Sequence, residues 1–140
     1  MSRIISIDYG RKRCGIAVTD PSKIIANGLT TVPTHELFDF LMNYLKAEPV
    51  ECIVIGLPRQ MSGEMSENEK NIRPFYNRLR KALPQMQIDF YDERFTSVLA
   101  HQAMLDGGLK KKARQNKALV DEISATIILQ SYMESKRERV

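Results

Sequence analysis

The chain opens with two short apolar runs of β-branched character, RIISID at residues 3–8 and CGIAVT at residues 14–19. The polar stretch Tyr9-Gly10-Arg11-Lys12-Arg13 between them predicts a hairpin. A third extended stretch is predicted over residues 24–32 after the turn signal Asp20-Pro21-Ser22, with a bulge or break at Asn27-Gly28. Residues 35–46 then change period: Leu37, Leu41 and Leu45 recur every four positions, and Pro49 lies just beyond, which predicts a helix. CIVIG at residues 52–56 is an unbroken apolar run between polar flanks, the signature of a strand covered on both faces and so central and parallel.

Residues 60–71 are polar without apolar periodicity and read as a loop, whereas Ile72, Phe75, Tyr76, Leu79 and Leu83 trace a helical stripe. Residues 85–91 alternate Met86, Ile88 and Phe90 with polar neighbours and end at Asp92-Glu93, a half-buried strand. Thr96 or Ser97 can cap a short helix through Leu105, stopped by Gly107-Gly108. A last helix from about residue 116 to residue 134 sets Asp121, Ser124, Ala125 and Ile128 along one face. The order β-β-β-α-β-α-β-α-α implies an α/β fold: a five-stranded mixed sheet, three antiparallel strands and then two parallel ones, flanked by helices.

With 140 residues, one domain spanning 1–140 is expected. Apolar residues make up 43% of the chain, enough for a core, and no run approaches the length of a membrane span. Met1 leads directly into the first strand without a signal-peptide pattern. Cys14 and Cys52 lack metal-pair spacing and sit in apolar runs as small buried hydrophobes, so a cytoplasmic protein without disulfides is expected. The net charge of +4 is modest but concentrated. Residues 110–117 read KKKARQNK, and without the five cations Lys110, Lys111, Lys112, Arg114 and Lys117 the rest of the chain carries −1. Such a segment is either a solvated loop or a grip on nucleic-acid phosphates.

Candidate chemistry lies where the strands end. Asp8 closes the first strand, Glu93 follows the last, and Asp121 sits on the inner face of the final helix beside small Ser124 and Ala125. Three acids brought together there repel one another unless a cation neutralises them, and their oxygens suit Mg²⁺ or Mn²⁺. Two such ions can activate water and stabilise the leaving oxygen of a phosphodiester without a side-chain nucleophile. The plainer alternative is that these acids are surface charges, with Asp8 starting a turn and Asp121 balancing lysines. The hairpin after Asp8, with Gly10, Arg11 and Arg13, also suits metal and phosphate. His35 and His101 lie on separate predicted helices without ligand spacing and take no role.

Four segments in order resemble one family: DYGRKRCGIA at residues 8–17, fitting D-x-G-x-x-R-x-G-x-A, IGLPR at 55–59, DERFTS at 92–97 and VDEISATIIL at 120–129. The chain resembles, over nearly its whole length, the YqgF family of Holliday-junction-resolvase-like proteins, also described as pre-16S ribosomal RNA nucleases. The resemblance implies a ribonuclease-H-like fold and a metal-dependent nuclease whose catalytic, metal-binding acids are Asp8, Glu93 and Asp121. It also selects Glu93 over Asp92, which alternation from Phe90 puts on the opposite side of the strand. Related resolvases carry a second acid one turn after the helix acid, where this chain has Ser124. Arg13, Arg59 and Arg94 match motif positions and either hold phosphates or pair with the acids.

The expected function is a cytoplasmic endonuclease using Mg²⁺ or Mn²⁺, two ions, on structured nucleic acid: precursor 16S ribosomal RNA or Holliday-junction-type DNA. Its alternative is a non-catalytic nucleic-acid-binding module in transcription or ribosome maturation. Residues 8–19 also resemble the phosphate hairpin of actin-like kinases, but those close two such domains around a nucleotide and this chain supplies one. A junction-cutting enzyme is expected to work as a homodimer, although no apolar stripe is left over once the predicted helices are packed.

Overall fold

A computed structural model describes residues 2–57, 67–92 and 117–138. Three strands open it, β1 (Arg3–Asp8), β2 (Arg13–Thr19) and β3 (Ala26–Pro33), followed by a single 3₁₀ turn (Thr34–Glu36) and helix α1 (Leu37–Ala47). Strand β4 (Val50–Leu57), helix α2 (Glu67–Ala82), strand β5 (Gln87–Asp92) and the long helix α3 (Lys117–Glu138) complete the described elements. The sheet order is β3-β2-β1-β4-β5. Strands β1, β2 and β3 pair antiparallel, while β4 runs parallel to β1 and β5 parallel to β4, as the sequence predicts.

Alternation along each strand divides the core into two layers. Ile5, Ile7, Cys14, Ile16, Ile53, Ile55 and Ile88 face the layer built by α1 and α2, where they meet Leu37, Leu41, Ile72 and Leu79. The opposite parity faces α3: Ala17 and Ala26 pack on Ala125, Leu129 and Met133, and Cys52 and Val54 pack on Ile128 and Tyr132. Strand β4 is therefore apolar at every position from Cys52 to Ile55 because both of its faces are covered.

The residues on the α3 side of the sheet are small where the helix crosses it. Ser6 is fully buried, and its hydroxyl donates to the Ala125 carbonyl at 2.6 Å. The last strand contributes a polar brace at the far end of the helix: Tyr132 donates to Asp89, which also accepts from Gln87 at 2.9 Å. Burial pushes the Cys52 thiol beside this brace up to about 11. Burial and the Asp89 carboxylate likewise raise Tyr132. Asp89 sits below its ordinary value despite burial, because Tyr132 and Gln87 hydrogen-bond its ionised form.

Three expectations change. Helix α2 begins at Glu67, so residues 67–71 belong to the helix and not to the preceding loop; Lys70 and Asn71 are exposed, and the apolar stripe starts only at the buried Ile72. In β3 the pairing shifts between Ile16–Thr30 and Ala17–Gly28, which leaves Leu29 as the bulged residue next to the predicted break. Apolar surface is also left over: Ile24 and Ile25 are 65% and 59% exposed and Leu29 is 37% exposed. Asp20 accepts backbone bonds from Ser22, Ile24 and Ile25, and this turn holds both isoleucines out beside the edge strand. The predicted short helix of residues 96–105 lies outside the described residues. Among the described residues no helix is long and apolar enough to cross a membrane.

Candidate active site at the end of the central strand

Asp8 is the last residue of β1, the middle strand of the sheet, and shares its parity with Ile4 and Ser6 on the α3 side. The helix runs over that face in matching steps. Ser6 touches Ala125, and moving two residues along β1 advances roughly 6.7 Å while moving back four residues on the helix covers about 6 Å. That step leads from Ser6 to Asp8 on the strand and from Ala125 to Asp121 on the helix.

Gly15 fixes the approach. It pairs directly with Asp8 across β1 and β2, so both positions face the same side. A Cβ placed on Gly15 would stand 2.1 Å from the Asp121 carbonyl oxygen and 3.0 Å from the Asp121 Cβ. The helix backbone therefore rests on a glycine whose cross-strand partner is the other acid. The buried Cys14 thiol lies on the opposite face of β2, against α1 and α2, and feels both charges through the sheet. Burial raises that thiol above its ordinary value, hydrogen bonds to Thr34 and Gly10 oppose the rise, and the negative charges of Asp8 and Asp121 add to it.

The hairpin loop between the two strands is tied down from three directions. Thr34 at the start of the 3₁₀ turn donates its hydroxyl to the Gly10 carbonyl at 2.7 Å and its backbone N–H to the Lys12 carbonyl at 3.0 Å. Tyr9 meets Phe75 of α2 with ring centroids 5.4 Å apart. Gly10 folds so tightly that a Cβ there would lie 2.3 Å from the Arg13 carbonyl. Arg13, first residue of β2 and of the same parity as Gly15, donates Nε–H to Asp121 Oδ2 at 2.6 Å. Of the two roles open to Arg13 from its sequence, the structure displays pairing with an acid.

Asp8, Asp121 and Arg13 thus gather around Gly15. Arg11 lies exposed in the hairpin loop close by. Lys117 is the first residue of α3. Glu93, Arg94, Arg59, Lys110, Lys111, Lys112 and Arg114 lie outside the described residues. Among the described residues no group of three or more His, Cys, Asp or Glu side chains is arranged to hold a metal ion. In β5, Asp89 and Tyr91 face α3 while Ile88 and Phe90 face α2. His35, in the 3₁₀ turn, is exposed.

Ser124 and Ala125 are small on the helix side, but the tight contact is made by Gly15 on the sheet, with Ser6 and Thr34 as supports. A glycine inside the strand CGIAVT was the available signal, since strand glycines mark close backbone approach.

Residues 2–135 match the family model RuvX, described as Holliday junction resolvase. The chain belongs to the RuvX family. Similar proteins include one from Phocaeicola vulgatus, 70% identical over 98% of this chain and 99% of its own, and one from Bacteroides fragilis, 72% identical over the same shares. Both bear the name "Putative pre-16S rRNA nuclease". Among solved structures, T. thermophilus RuvC in complex with a Holliday junction substrate superposes with a TM-score of 0.57 at 13% identity, covering 95% of this chain and 96% of that one. Thermus thermophilus RuvC alone gives 0.52 at 14% identity, covering 94% and 96%. These likenesses give the RuvX chain a ribonuclease-H-like fold, in agreement with the mixed five-stranded sheet.

Proposed function

We propose that the chain is a divalent-metal-dependent endonuclease that hydrolyses phosphodiester bonds of structured nucleic acid, with precursor 16S ribosomal RNA as its substrate in the cytoplasm. Membership of the RuvX family, whose description is Holliday junction resolvase, supports nuclease chemistry, and the names of the 70–72% identical relatives favour the ribosomal precursor over the junction. The observation that carries the assignment of the site is Gly15, which pairs with Asp8 and lies beneath the backbone of Asp121.

The donor set fits a hard cation: both groups are carboxylates, and Asp121 already holds a positive charge in Arg13. Asp8, Asp121 and Glu93 would hold Mg²⁺ or Mn²⁺ as a pair of ions. When bound, the metal supplies an activated water and neutralises charge at the leaving oxygen. The chain's own part is to keep Asp8 rigid at a strand end, to seat Asp121 on Gly15, and to hold the backbone of the substrate. Arg11, Arg59, Arg94 and the cations at Lys110, Lys111, Lys112, Arg114 and Lys117 would contact phosphates.

The test is a cleavage assay on a structured RNA spanning a 16S precursor end, run beside a four-way DNA junction. Asp8→Asn is expected to abolish Mg²⁺-dependent cutting while leaving RNA binding within about twofold; undiminished cutting rejects the site. Cutting of the junction with the RNA left intact rejects the substrate.

A further inference from the structure

We propose that Arg13 is a displaceable counter-cation: it holds the Asp121 carboxylate while no metal is bound, yields it to a divalent ion, and then offers its guanidinium to a phosphodiester. The inference rests on the metal site proposed above. Arg13 and Asp121 meet at 2.6 Å through Nε, and their side chains are 35% and 23% exposed. The pair is thus at the mouth of the site, partly in water, where an ion pair is weak enough to exchange. A deeply buried pair would hold its carboxylate too tightly for that.

The backbone around the pair does not depend on it. Arg13 sits opposite Pro33 in the pairing of β2 with β3, the loop before it is anchored through Thr34 and Tyr9, and the helix is seated by Gly15 and by the Ser6 bond to Ala125. Release of the side chain therefore leaves both elements in place. Arg13 shares the parity of Gly15 on β2, and Gly15 pairs with Asp8, so the freed guanidinium remains on the face that carries both acids. Its Nη1 and Nη2 donors match a phosphate's paired oxygens. An arginine serves here where a lysine would not, because the planar fork retains a bidentate edge once Nε has let go of the carboxylate.

The experiment measures Mn²⁺ binding to the full chain by electron paramagnetic resonance, without substrate. Removing the competing charge in Arg13→Gln is expected to tighten Mn²⁺ binding about tenfold, whereas Arg13→Lys, which keeps a cation, is expected to stay within about threefold of the native chain. In the native chain, labelled at arginine nitrogen, the Arg13 Nε–H resonance is expected to shift with the same midpoint as Mg²⁺ binding. Unchanged or weaker Mn²⁺ binding in Arg13→Gln, or an Nε–H resonance that keeps its position at Mg²⁺ saturation, overturns the exchange. Asp121→Asn separates the two levels. Loss of Mn²⁺ binding in that variant, with Arg13→Gln unchanged, sinks the exchange and spares the metal site. Native Mn²⁺ binding in Asp121→Asn sinks both.

Discussion

At the scale of single residues, the central fact is that Gly15 leaves no room for a side chain between β2 and α3. Gly15→Ala puts a methyl group 2.1 Å from the Asp121 carbonyl oxygen, so the helix has to lift. Overpacking of this kind costs about 1–3 kcal/mol, and here it also draws Asp121 away from Asp8. Chemical denaturation is expected to show that loss, and Mn²⁺ binding to weaken at least about tenfold in protein that remains folded. Native metal affinity in a folded Gly15→Ala protein would mean that the two acids do not share an ion. A quieter residue acts through solvation. The folded state keeps Cys52 as a thiol up to about 11, above the ordinary value of 9.0, so it favours the protonated form more than the unfolded chain does. This contribution is complete below pH 9 and is lost as pH rises from 9 towards 11. About 2 kcal/mol of stability is expected to disappear over that window, and Cys52→Ala is expected to show a flatter alkaline limb in denaturant melts relative to its own value at about pH 7.

At the scale of elements, the brace between β5 and α3 predicts its own mutant. Tyr132 is 5% exposed and donates to Asp89, so Tyr132→Phe leaves the carboxylate without this buried hydroxyl donor and is expected to cost about 1–3 kcal/mol in urea unfolding. A cost below about 0.5 kcal/mol would assign the brace to water. The elements themselves were largely readable. Strand β4 announced its two covered faces by four consecutive apolar residues, and α1 by leucines at four-residue spacing. What escaped was whatever no side-chain pattern records. The first turn of α2 is polar, so it reads as loop. The extra residue Leu29 in β3 is a matter of pairing register, legible only as a glycine nearby. The site shows the same division: Asp8 stood out as an acid at a strand end and Asp121 as an acid on the inner face of the last helix, but the contact that joins them runs through the backbone of Gly15, which the sequence marks only as a glycine within a strand. Arg13 was legible as a residue with two roles, and only geometry displays the ion pair.

At the scale of the whole molecule, charge and exposed apolar surface lie apart from the core. The cationic surplus resides in residues 110–117, while the remainder of the chain is close to neutral. Replacing Lys110, Lys111 and Lys112 together with glutamine is expected to weaken RNA binding uniformly across sequences and to reduce its salt dependence by about 0.7–0.9 for each phosphate no longer neutralised. Equal slopes for the native and substituted chains would free this segment of any phosphate role. The exposed isoleucines at positions 24 and 25 sit on the other side of β2 from the central strand, outside the acid cluster. The measurement that bears most directly on the shared site is a crystal structure of the protein soaked in Mn²⁺, read from anomalous difference density. Density is expected at about 2.2 Å from carboxylate oxygens of both Asp8 and Asp121, over the face formed by Gly15. Saturating Mn²⁺ found elsewhere, with these two carboxylates turned to separate partners, would contradict it.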